Sequence, residues 1–427
     1  MSETKDRAPV VVIGAGIVGI ASACYLQRDG HPVVVLTADA PGEATSFGNA
    51  GCLNGSSVVP VSMPGVLSSV PGWLLDPEGP LVIRWRYMPT LLPWLVRFIR
   101  AGRPDRVAQQ AKALRALLAP SIESYMPLVK EAHAEDLIHR RGHLFAYRSE
   151  ASYAKDDTAM QLRRDNGVVV DDLSTDELRQ LEPNLSHDYV RGRLVSENGH
   201  VGNPLRLTQS LAETLERNGG TIRRERAVGF VTENGRVTGV RTEAGVQPAS
   251  AIVVAAGAWS KPLARELGDD LPLDTERGYH VVIADPDKGP RIPTMSAEDK
   301  IVATPMETGL RVAGTVEFAG LEAPPDWRRA ATILKQALAM YPGLGTDLPE
   351  ERLSRWMGFR PSMPDSLPVI GSSSRYPNAF YAFGHGHVGL AGGSMTGRLV
   401  AALVGHRPPP VDPSPFGASR FRRRHEK

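Results

Sequence analysis

Cysteine is scarce in this chain: only Cys24 and Cys52 occur among 427 residues. Neither has a partner at the spacing of a metal-binding motif, so the sequence predicts no metal site. Two cysteines in so long a chain also give no disulfide framework. This usage indicates a reducing compartment, and we expect a cytoplasmic protein.

An excess of charge of one sign is missing as well. The 49 basic residues (Lys and Arg) and 47 acidic residues (Asp and Glu) leave a formal net charge of +2. So small a charge creates no strong field toward nucleic acid, and no nucleic-acid partner is expected. The segment from Met1 to Pro9 is polar and carries no apolar signal region, so secretion is not expected.

Long uninterrupted hydrophobic runs are absent too. The most apolar stretch, Leu81 to Ile99, contains three arginines and two prolines. It is too interrupted to cross a bilayer as one clean helix. We favour a helix packed on its own domain. The mixture of aromatic and basic residues leaves a second interpretation, which is peripheral contact with the inner face of the membrane.

The chain does contain a strand, a glycine-rich turn, a helix and a second strand at its start. The apolar run Val10 to Ile13 leads directly into Gly-Ala-Gly-Ile-Val-Gly, and a second apolar run occupies Val33 to Leu36. In such a turn the first glycine permits the bend, the second admits a pyrophosphate, and the third lets helix pack against strand. The predicted phosphate-binding residues are Gly14, Gly16, Ile17, Val18 and Gly19.

The end of the second strand bears on which dinucleotide is bound. Nicotinamide-binding proteins usually place Asp or Glu there, on the adenosine ribose. Here the position is Thr37, and the nearest carboxylate is Asp39. A hydroxyl can still bond a ribose, so FAD remains compatible while NAD loses support. Thr37 and Asp39 are both candidates for the ribose contact.

The length suits two interlocked domains rather than one core. Nucleotide-type elements occur in three separated segments, and we interpret the insertions between them as one substrate domain. The fold class is α/β, with an α+β substrate part. The predicted boundaries are 1–62, 196–270 and 350–417 for the dinucleotide-binding domain, 63–195 and 271–349 for the substrate domain, and 418–427 for a solvated tail.

Local patterns predict several elements of this organisation. Apolar residues at helical spacing indicate one long helix over 104–136. Asn203 and Pro204 suit the first positions of another helix. Asn234-Gly235 is a strong signal for a β-hairpin.

Four further segments follow the turn in order along the chain. With the turn, they resemble the D-amino-acid oxidase superfamily of flavoproteins, and the first is similar to the small-subunit type of bacterial D-amino acid dehydrogenase. The resemblance covers nearly the whole chain and implies FAD, held by a Rossmann-like domain interleaved with an antiparallel-sheet substrate domain. The segments are Ala-Thr-Ser-Phe-Gly-Asn-Ala-Gly at 44–51, Val-Ala-Ala-Gly-Ala-Trp-Ser at 254–260, Trp-Met-Gly-Phe-Arg-Pro at 356–361 with its continuation to 371, and Gly-His-Gly-His-Val-Gly at 384–389.

The resemblance also implies which residues contact FAD. The first segment lines the flavin ring, the second meets the phosphates, and the last, including His385, meets the pyrimidine edge. An apolar residue meets adenine through its backbone. The residues so implied are Thr45, Ser46, Asn49, Ala50 and Gly51, then Gly257 and Trp259, then Gly384, Gly386, Val388 and Gly389, and finally Val228.

Some relatives attach the flavin covalently, through a His in the segment corresponding to 45–51 or a Cys near Trp356. Neither residue occurs at those places, so we expect non-covalent FAD. Cys52 follows the flavin segment directly, and a thioether there would overturn this expectation.

Oxidation of an amine at the α-carbon needs an anchor for the substrate carboxylate, which the planar fork of arginine supplies. Family members place such an arginine in the Gly-x-Arg-Pro segment, which makes Arg360 the candidate; a structural arginine bonded to backbone is the alternative. Tyr279 is a second candidate for the carboxylate, or else a core tyrosine. His280 and His387 titrate near neutrality and could act on the amine, or serve structure alone.

The activity so implied is an FAD-dependent D-amino acid dehydrogenase. It would oxidise D-amino acids to imino acids, which hydrolyse to 2-oxo acids and ammonia, and pass electrons to a quinone or other carrier. One alternative is a dehydrogenase or oxidase for secondary amines such as D-proline, hydroxy-D-proline or sarcosine, or for glycine. Others are a subunit of a hetero-oligomer and a non-enzymatic flavin-binding protein. The oligomeric state is left open.

Overall fold

The computed structural model describes residues 8–64, 70, 72, 74, 76, 78–346 and 348–422. Its strands and α-helices are numbered below in chain order. The described strands are β1 Val10–Ile13, β2 Val33–Leu36, β3 Cys52–Leu53, β4 Leu81–Ile83, β5 Ile138–His139, β6 His143–Tyr147, β7 Asp171–Leu173, β8 Arg191–Val195, β9 Gly199–Val201, β10 Thr221–Arg223, β11 Ala227–Glu233, β12 Arg236–Thr242, β13 Gly245–Pro248, β14 Ala251–Val254, β15 Asp274–Ile283, β16 Thr294–Ser296, β17 Val302–Met306, β18 Gly309–Phe318, β19 Leu353–Ser362, β20 Val369–Ser372 and β21 Ala379–Phe383. The described α-helices are α1 Ile17–Arg28, α2 Met88–Ala101, α3 Pro104–Leu118, α4 Ser121–Glu131, α5 Glu150–Lys155, α6 Asp157–Asp165, α7 Thr175–Leu181, α8 Pro204–Arg217, α9 Ser260–Glu266, α10 Arg328–Met340 and α11 Gly389–Val404.

The first large sheet is six-stranded and almost entirely parallel. Its strand order is β10-β2-β1-β14-β21-β20, and β20 alone runs antiparallel to its neighbour. The strand residues of β1, β2 and β14 are buried on both faces, as their unbroken apolar sequence requires. On one face α1 and α11 pack closely, because Gly397 has no side chain where a Cβ would lie 2.7 Å from the Ala21 carbonyl oxygen. This sheet is the parallel core of the Rossmann-like domain that the sequence predicts.

The second large sheet has nine strands, and its main path runs β19-β15-β18-β17-β16-β6-β8-β7, with β4 beside β18. Most of its pairs are antiparallel; β16 with β6 and β4 with β18 are parallel. Helix α10 packs on one face through Ile333, Ala337 and Met340. Two small sheets, β11-β12-β13 and β3-β9-β5, lie outside these two.

Two predicted boundaries differ from the observed sheets. Strand β19 lies in the segment 350–417 assigned to the dinucleotide domain, but it pairs along its whole length with β15 of the nine-stranded sheet. The predicted tail 418–427 is also not free over its described part, because Ala418 is buried and Arg420 donates to Asp365 and to the Leu367 carbonyl. Residues 423–427 lie outside the described residues. The rest of the domain division stays a prediction.

Of the local predictions, the long helix is wrong and the hairpin is confirmed. The expected helix over 104–136 is wrong as one element: α3 ends at Leu118 and α4 begins at Ser121, because Pro120 has no N–H to continue the first helix. The hairpin at Asn234-Gly235 is confirmed. Both residues have positive φ, 49° and 73°, as a tight two-residue turn requires. Among the described helices, none has the length and apolar character to cross a membrane.

Candidate active site

A cavity of about 590 Å³, here called the strand-end cavity, opens where the parallel strands of the six-stranded sheet end. Residues following β1, β2, β14 and β21 line it in turn: Gly14, Thr37, Ala255 and His385. The carboxyl ends of parallel strands are where open α/β sheets bind their ligands. Fourteen of the nineteen predicted cofactor-binding residues line this one space.

The glycine turn between β1 and α1 cannot accept larger residues. Gly14 has φ of 111°, and a Cβ there would lie 2.5 Å from the Ala255 carbonyl oxygen. A Cβ on Gly19 would lie 1.9 Å from the Gly14 carbonyl oxygen. The first contact fixes the turn against β14, and the second fixes helix α1 against the turn. The structure therefore gives the first and third glycines the roles that the sequence pattern predicts.

The N-terminus of α1 faces the strand-end cavity. Gly16, Ile17 and Val18 line it, and Gly16 caps the helix without a side-chain hydrogen bond. The Ile17 N–H donates instead to Ser46 Oγ at 2.9 Å. Free backbone N–H groups and the helix dipole suit an anion at this point. Ser46, predicted for the flavin ring, in fact lies at the helix terminus.

The opposite end of the cavity contains both candidates for the ribose contact. Thr37 Oγ1 donates to the Asp39 carbonyl oxygen at 2.8 Å, so its lone pairs remain available. Asp39 and Val228 also line the cavity, and half of the Val228 surface is exposed. The hydroxyl and the carboxylate are thus brought together, and the structure leaves both as candidates.

The segment at 44–51 lies along the cavity only in part. Thr45, Ser46 and Asn49 line it, whereas Ala50 and Gly51 do not appear in its wall. Gly51 is instead packed against β9, with its φ at 79° and its N–H bonded to Asn49 Oδ1 at 2.8 Å. Gly51 thus has a structural role in turning the loop, and the contacts of Ala50 and Gly51 with the cofactor stay predictions that the cavity wall does not support.

The last two predicted segments complete the cavity. Gly257 and Trp259 line it, with the Trp259 ring edge-on against Phe359. Gly386 and Gly389 line it as well, together with His385, whose Nε2 lies 2.9 Å from Thr396 Oγ1. Gly384 and Val388 face away from it, into a second and smaller space. The loop at 384–389 thus separates two spaces.

That second space, here called the small cleft, is lined by residues of α2, β15, β19 and the loop. His385 and Gly386 belong to both spaces, so the small cleft and the strand-end cavity adjoin there. Other residues of the cleft are Trp94, Phe98, Glu276, Ser362 and His387. The cleft has a volume of only about 20 Å³, room for about one water molecule, so a substrate near it would occupy mainly the adjoining end of the cavity.

Arg360 lies on the sheet beside this junction. It pairs with Glu276 across β19 and β15, and it precedes Pro361 of the cavity wall. Gly278 leaves the room for its guanidinium, since a Cβ there would lie 2.2 Å from Arg360 Nη2. Nη1 donates to the Thr315 carbonyl at 2.8 Å. Thr315 has φ of 57°, which marks the irregular point where β18 turns this carbonyl toward the arginine.

Two ionisable side chains, Glu276 and His387, lie near Arg360. Glu276 is buried, and that burial raises the pKa of its carboxyl although the Arg360 charge opposes the change. His387 presents an exposed edge, yet the protein packed around it, and then the Arg360 charge, lower the pKa of its imidazole. Both shifts favour the neutral forms of Glu276 and His387, and a neutral Glu276 would compete less with an anionic ligand for the arginine. The guanidinium itself donates to two backbone carbonyls, those of Thr315 and Gly314. Sequence reasoning missed Glu276, because only the strand register reveals it.

His280 does not lie beside Arg360 as a free base. It is buried, its ring stacks on Trp356 at 5.1 Å, and its Nδ1 lies 3.1 Å from the Gly48 carbonyl oxygen. Burial, and then the Arg311 charge, lower the pKa of His280 to about 3, so the ring is neutral. A carbonyl only accepts, so Nδ1 carries the hydrogen and donates. The predicted role on the amine is therefore replaced by one on the 44–51 loop.

Arg311 holds the same loop from the neighbouring strand. Its Nη1 donates to the carbonyl oxygens of Phe47 at 2.8 Å and Asn49 at 2.7 Å. Burial lowers the pKa of this guanidinium to about 10, which still leaves it charged at neutral pH. A charged donor makes a stronger hydrogen bond than a neutral one. The nine-stranded sheet thus fixes the loop that lines the strand-end cavity.

Tyr279 is not brought into this group. Its neighbours Gly278 and His280 face Arg360 and the loop, and alternate strand residues point to opposite faces. Tyr279 packs instead in the core under α10, and only 1% of its surface is exposed. Its hydroxyl donates to Glu317 at 2.6 Å and accepts from the Asp326 N–H at 2.8 Å. We therefore correct its interpretation to the core tyrosine of the two alternatives.

Several cavity residues had no place in the sequence prediction. Glu225 and Arg226 follow β10, and the rule that ligands bind beyond parallel strand ends would have found them. Pro361 and Glu266 line the cavity through long-range packing and carry no local signal.

The parallel sheet, its glycine turn, the helix terminus and the cavity at the strand ends define a dinucleotide-binding protein, with a second sheet closing one end of the site. The comparison with protein families makes this specific. Residues 9–403 match the family of FAD dependent oxidoreductases that contains D-amino-acid oxidase, and the chain belongs to that family.

Two relatives and one solved structure cover nearly the whole chain. A D-amino-acid oxidase of Bradyrhizobium diazoefficiens is 43% identical over 96% of this chain and 98% of its own length. A D-amino acid dehydrogenase of Phenylobacterium zucineum is 32% identical over 94% and 95%, respectively. The structure of L-proline dehydrogenase from P. horikoshii superposes with a TM-score of 0.74 over 97% of this chain and 98% of that one, at 16% identity. That last likeness concerns the fold.

Proposed function

We propose that this protein oxidises D-amino acids with FAD, giving imino acids that hydrolyse to 2-oxo acids and ammonia. The observation that carries the proposal is Arg360, a guanidinium beside the junction of cleft and cavity, with Glu276 and His387 near it. A carboxylate bound there would place the α-carbon toward the cavity. The names of the two relatives, D-amino-acid oxidase and D-amino acid dehydrogenase, support the substrate class.

The residues of the strand-end cavity fit FAD. Gly14, Gly16 and Gly19 leave backbone N–H groups of α1 open for a pyrophosphate, and the wall continues without a break to the junction. When bound, FAD supplies the two-electron acceptor for the hydride that leaves the α-carbon. The FAD-binding residues we propose, from the adenosine end onward, are Thr37, Asp39, Val228, Gly14, Gly16, Ile17, Val18, Gly257, Trp259, Ser46, Thr45, Asn49, His385, Gly386 and Gly389.

FAD binding is proposed to be non-covalent. Cys52, the thiol next to the flavin segment, contacts the Ala50 carbonyl at 3.8 Å and His143 Nδ1 at 3.9 Å. Desolvation raises the pKa of this thiol to about 12, so the reactive thiolate is scarce at neutral pH. Denaturation with acid should release all of the yellow colour into the supernatant. A pellet that stays yellow would instead indicate a covalent link.

The protein residues orient the substrate rather than exchange many protons. Arg360 binds the carboxylate through its available N–H groups and is held in place by the carbonyl of Thr315. His387 is neutral at neutral pH, because its pKa is lowered, and acts as a hydrogen-bond partner of the amine. Glu276 pairs with Arg360 across β15 and β19 and lines the small cleft.

Anaerobic reduction of the purified holoenzyme tests the proposal. D-amino acids should bleach the flavin absorbance, while L-amino acids should not. Bleaching only by N-alkyl amines or cyclic imino acids would favour the secondary-amine alternative, and no bleaching by any amine would rule out the proposed activity.

The electron acceptor is a separate part of the proposal. We propose that it is a quinone or another electron carrier. The two relatives differ in this respect, since one is named an oxidase and the other a dehydrogenase. After anaerobic reduction, admission of a quinone dye should restore the flavin absorbance faster than admission of air. Faster reoxidation by air would assign the oxidase chemistry.

A further inference from the structure

Helix α2 presents an apolar face to solvent. Leu92, Val96 and Ile99 are exposed by 55%, 39% and 48%, and Trp85, just before the helix, is exposed by 77%. Spacings of four and three residues put the three aliphatic side chains on one side of the helix. Clustered exposure of this kind differs from the scattered apolar residues of an ordinary surface and marks an interaction site.

The opposite face anchors α2 in the fold. Leu91 and Trp94 are buried, and the Trp94 indole N–H donates to the Ser362 carbonyl at 3.3 Å. The Trp94 ring stacks on Phe98 at 5.2 Å and packs on Phe318 at 5.4 Å. Helix α2 is therefore held in the fold by one face, while its opposite, apolar face is exposed to solvent.

The charged residues beside the outer face indicate which kind of partner it binds. Arg86, Arg97 and Arg100 are exposed, and the sequence between Gly79 and Pro104 contains no acidic residue. Arg97 and Arg100 follow the apolar face around one side of the helix. An apolar face bordered by arginines, with a tryptophan at its start, complements the headgroup region of an anionic bilayer.

We propose that the outer face of α2, with Trp85, docks this protein on the surface of an anionic lipid bilayer. Fourteen residues make a helix of about 21 Å, shorter than the ~30 Å hydrocarbon core, so the helix lies on the membrane rather than across it. Leu92, Val96 and Ile99 enter the headgroup boundary, and Arg97 and Arg100 meet lipid phosphates. The inner face of the same helix lines the small cleft, so docking brings the cleft close to the bilayer.

Vesicle sedimentation of the holoenzyme tests this proposal without reference to its substrate. The parent protein should sediment with vesicles of phosphatidylcholine and phosphatidylglycerol at low salt, and much less with phosphatidylcholine alone. The double substitution Arg97→Gln/Arg100→Gln should weaken binding by about fivefold for each arginine, since each is worth about 1 kcal/mol near an anionic surface. Leu92→Ser/Ile99→Ser should weaken it about tenfold or more.

Val169→Ser is the matched control, because Val169 is 67% exposed and lies far from α2 in the sequence. It should bind vesicles as the parent does. An unchanged visible flavin spectrum in every variant shows that the fold is intact. The proposal is overturned if the parent binds neither vesicle, or if the Leu92/Ile99 variant binds like the parent. If that variant instead changes from dimer to monomer in light scattering and the parent ignores vesicles, the face joins two copies of the chain.

Discussion

The strand-end cavity and the nine-stranded sheet form two sides of one site, but their residues are brought together in different ways. On the cavity side, Gly14 and Gly19 act within a single turn, where the positive φ of Gly14 and the contact of Gly19 with the Gly14 carbonyl are both local. On the sheet side, Arg360 meets Glu276 and the space over Gly278 only because β19 and β15 pair in one register. A site can thus combine a locally encoded half with a half that exists only after folding.

The two sides are joined by the loop at 44–51. Arg311 and His280 of the sheet bond its carbonyls, while Ser46 of the loop accepts the N–H of Ile17 in the cavity. We therefore expect changes in the glycine turn to affect only FAD binding, and changes at Arg360 to affect only substrate binding. A change at His280, on the sheet side, should affect FAD binding on the cavity side.

The largest effect is expected at Gly19. A Gly19→Ala side chain would lie 1.9 Å from the Gly14 carbonyl oxygen, and backbone cannot yield to it without moving helix α1 from the turn. We expect loss of bound FAD and most of the soluble holoenzyme, measured by flavin absorbance per purified chain. Gly289→Ala is the control, since its Cβ would make only ordinary van der Waals contacts, the nearest at 3.7 Å. Full FAD content in Gly19→Ala would show that the turn tolerates a side chain.

Arg360→Ala should give the next largest effect. Loss of charge-assisted hydrogen bonds to a carboxylate costs about 1.5–3 kcal/mol, so KM for D-amino acids should rise roughly 10- to 100-fold while FAD content stays normal. Arg360→Lys should recover part of the loss. Arg355→Ala is the control, because Arg355 is on the same strand but exposed and paired with Glu350. An unchanged KM would make Arg360 the structural arginine of the alternative interpretation.

This contrast also explains which parts of the site could be predicted from sequence. The glycine turn and the Asn234-Gly235 hairpin were predictable, because each rests on backbone angles that few residues adopt. Tyr279 was not, because adjacent strand residues face opposite sides and the sequence alone does not reveal which side meets the cavity.

Glu276 and the loop contacts of His280 follow from register and long-range packing, which have no local pattern. The break between α3 and α4 did have a signal, Pro120, which the helical spacing of the surrounding leucines obscured. Sequence reasoning was therefore strongest where the backbone itself constrains the residue type, and weakest where strand pairing decides the contact.

His280→Phe tests the connection between the two sides. Phenylalanine keeps a ring against Trp356 but removes the donor to the Gly48 carbonyl, at a cost of about 1 kcal/mol or somewhat more. The dissociation constant of FAD, measured by fluorescence titration of apoprotein, should rise about five- to tenfold, with KM for substrate nearly unchanged. His187→Phe, at an exposed position, is the control. A rise in KM without weaker FAD binding would return His280 to the substrate side.

The smallest effect on the site itself concerns the pH dependence of stability, through the support of the nine-stranded sheet. Glu182 is fully buried and accepts the N–H groups of Arg291 and Ile292 at 2.8 and 2.9 Å, just before β16. Burial raises the pKa of this carboxyl to about 7, above the value of about 4.3 in an unfolded chain. The folded state then binds more protons than the unfolded state between these values, so stability falls as pH rises through that window and levels off above it.

Glu182→Gln removes this pH dependence while keeping an oxygen that can accept both backbone N–H groups. We expect the free energy of unfolding of the variant to match the parent near pH 5 and to exceed it by on the order of 2 kcal/mol at pH 8. Urea unfolding at several pH values measures the difference. Glu350→Gln, at an exposed carboxyl paired with Arg355, should leave the pH profile unchanged. Parallel profiles for the parent and Glu182→Gln would mean that the buried carboxyl ionises as easily in the fold as outside it, and that the two backbone hydrogen bonds offset its burial.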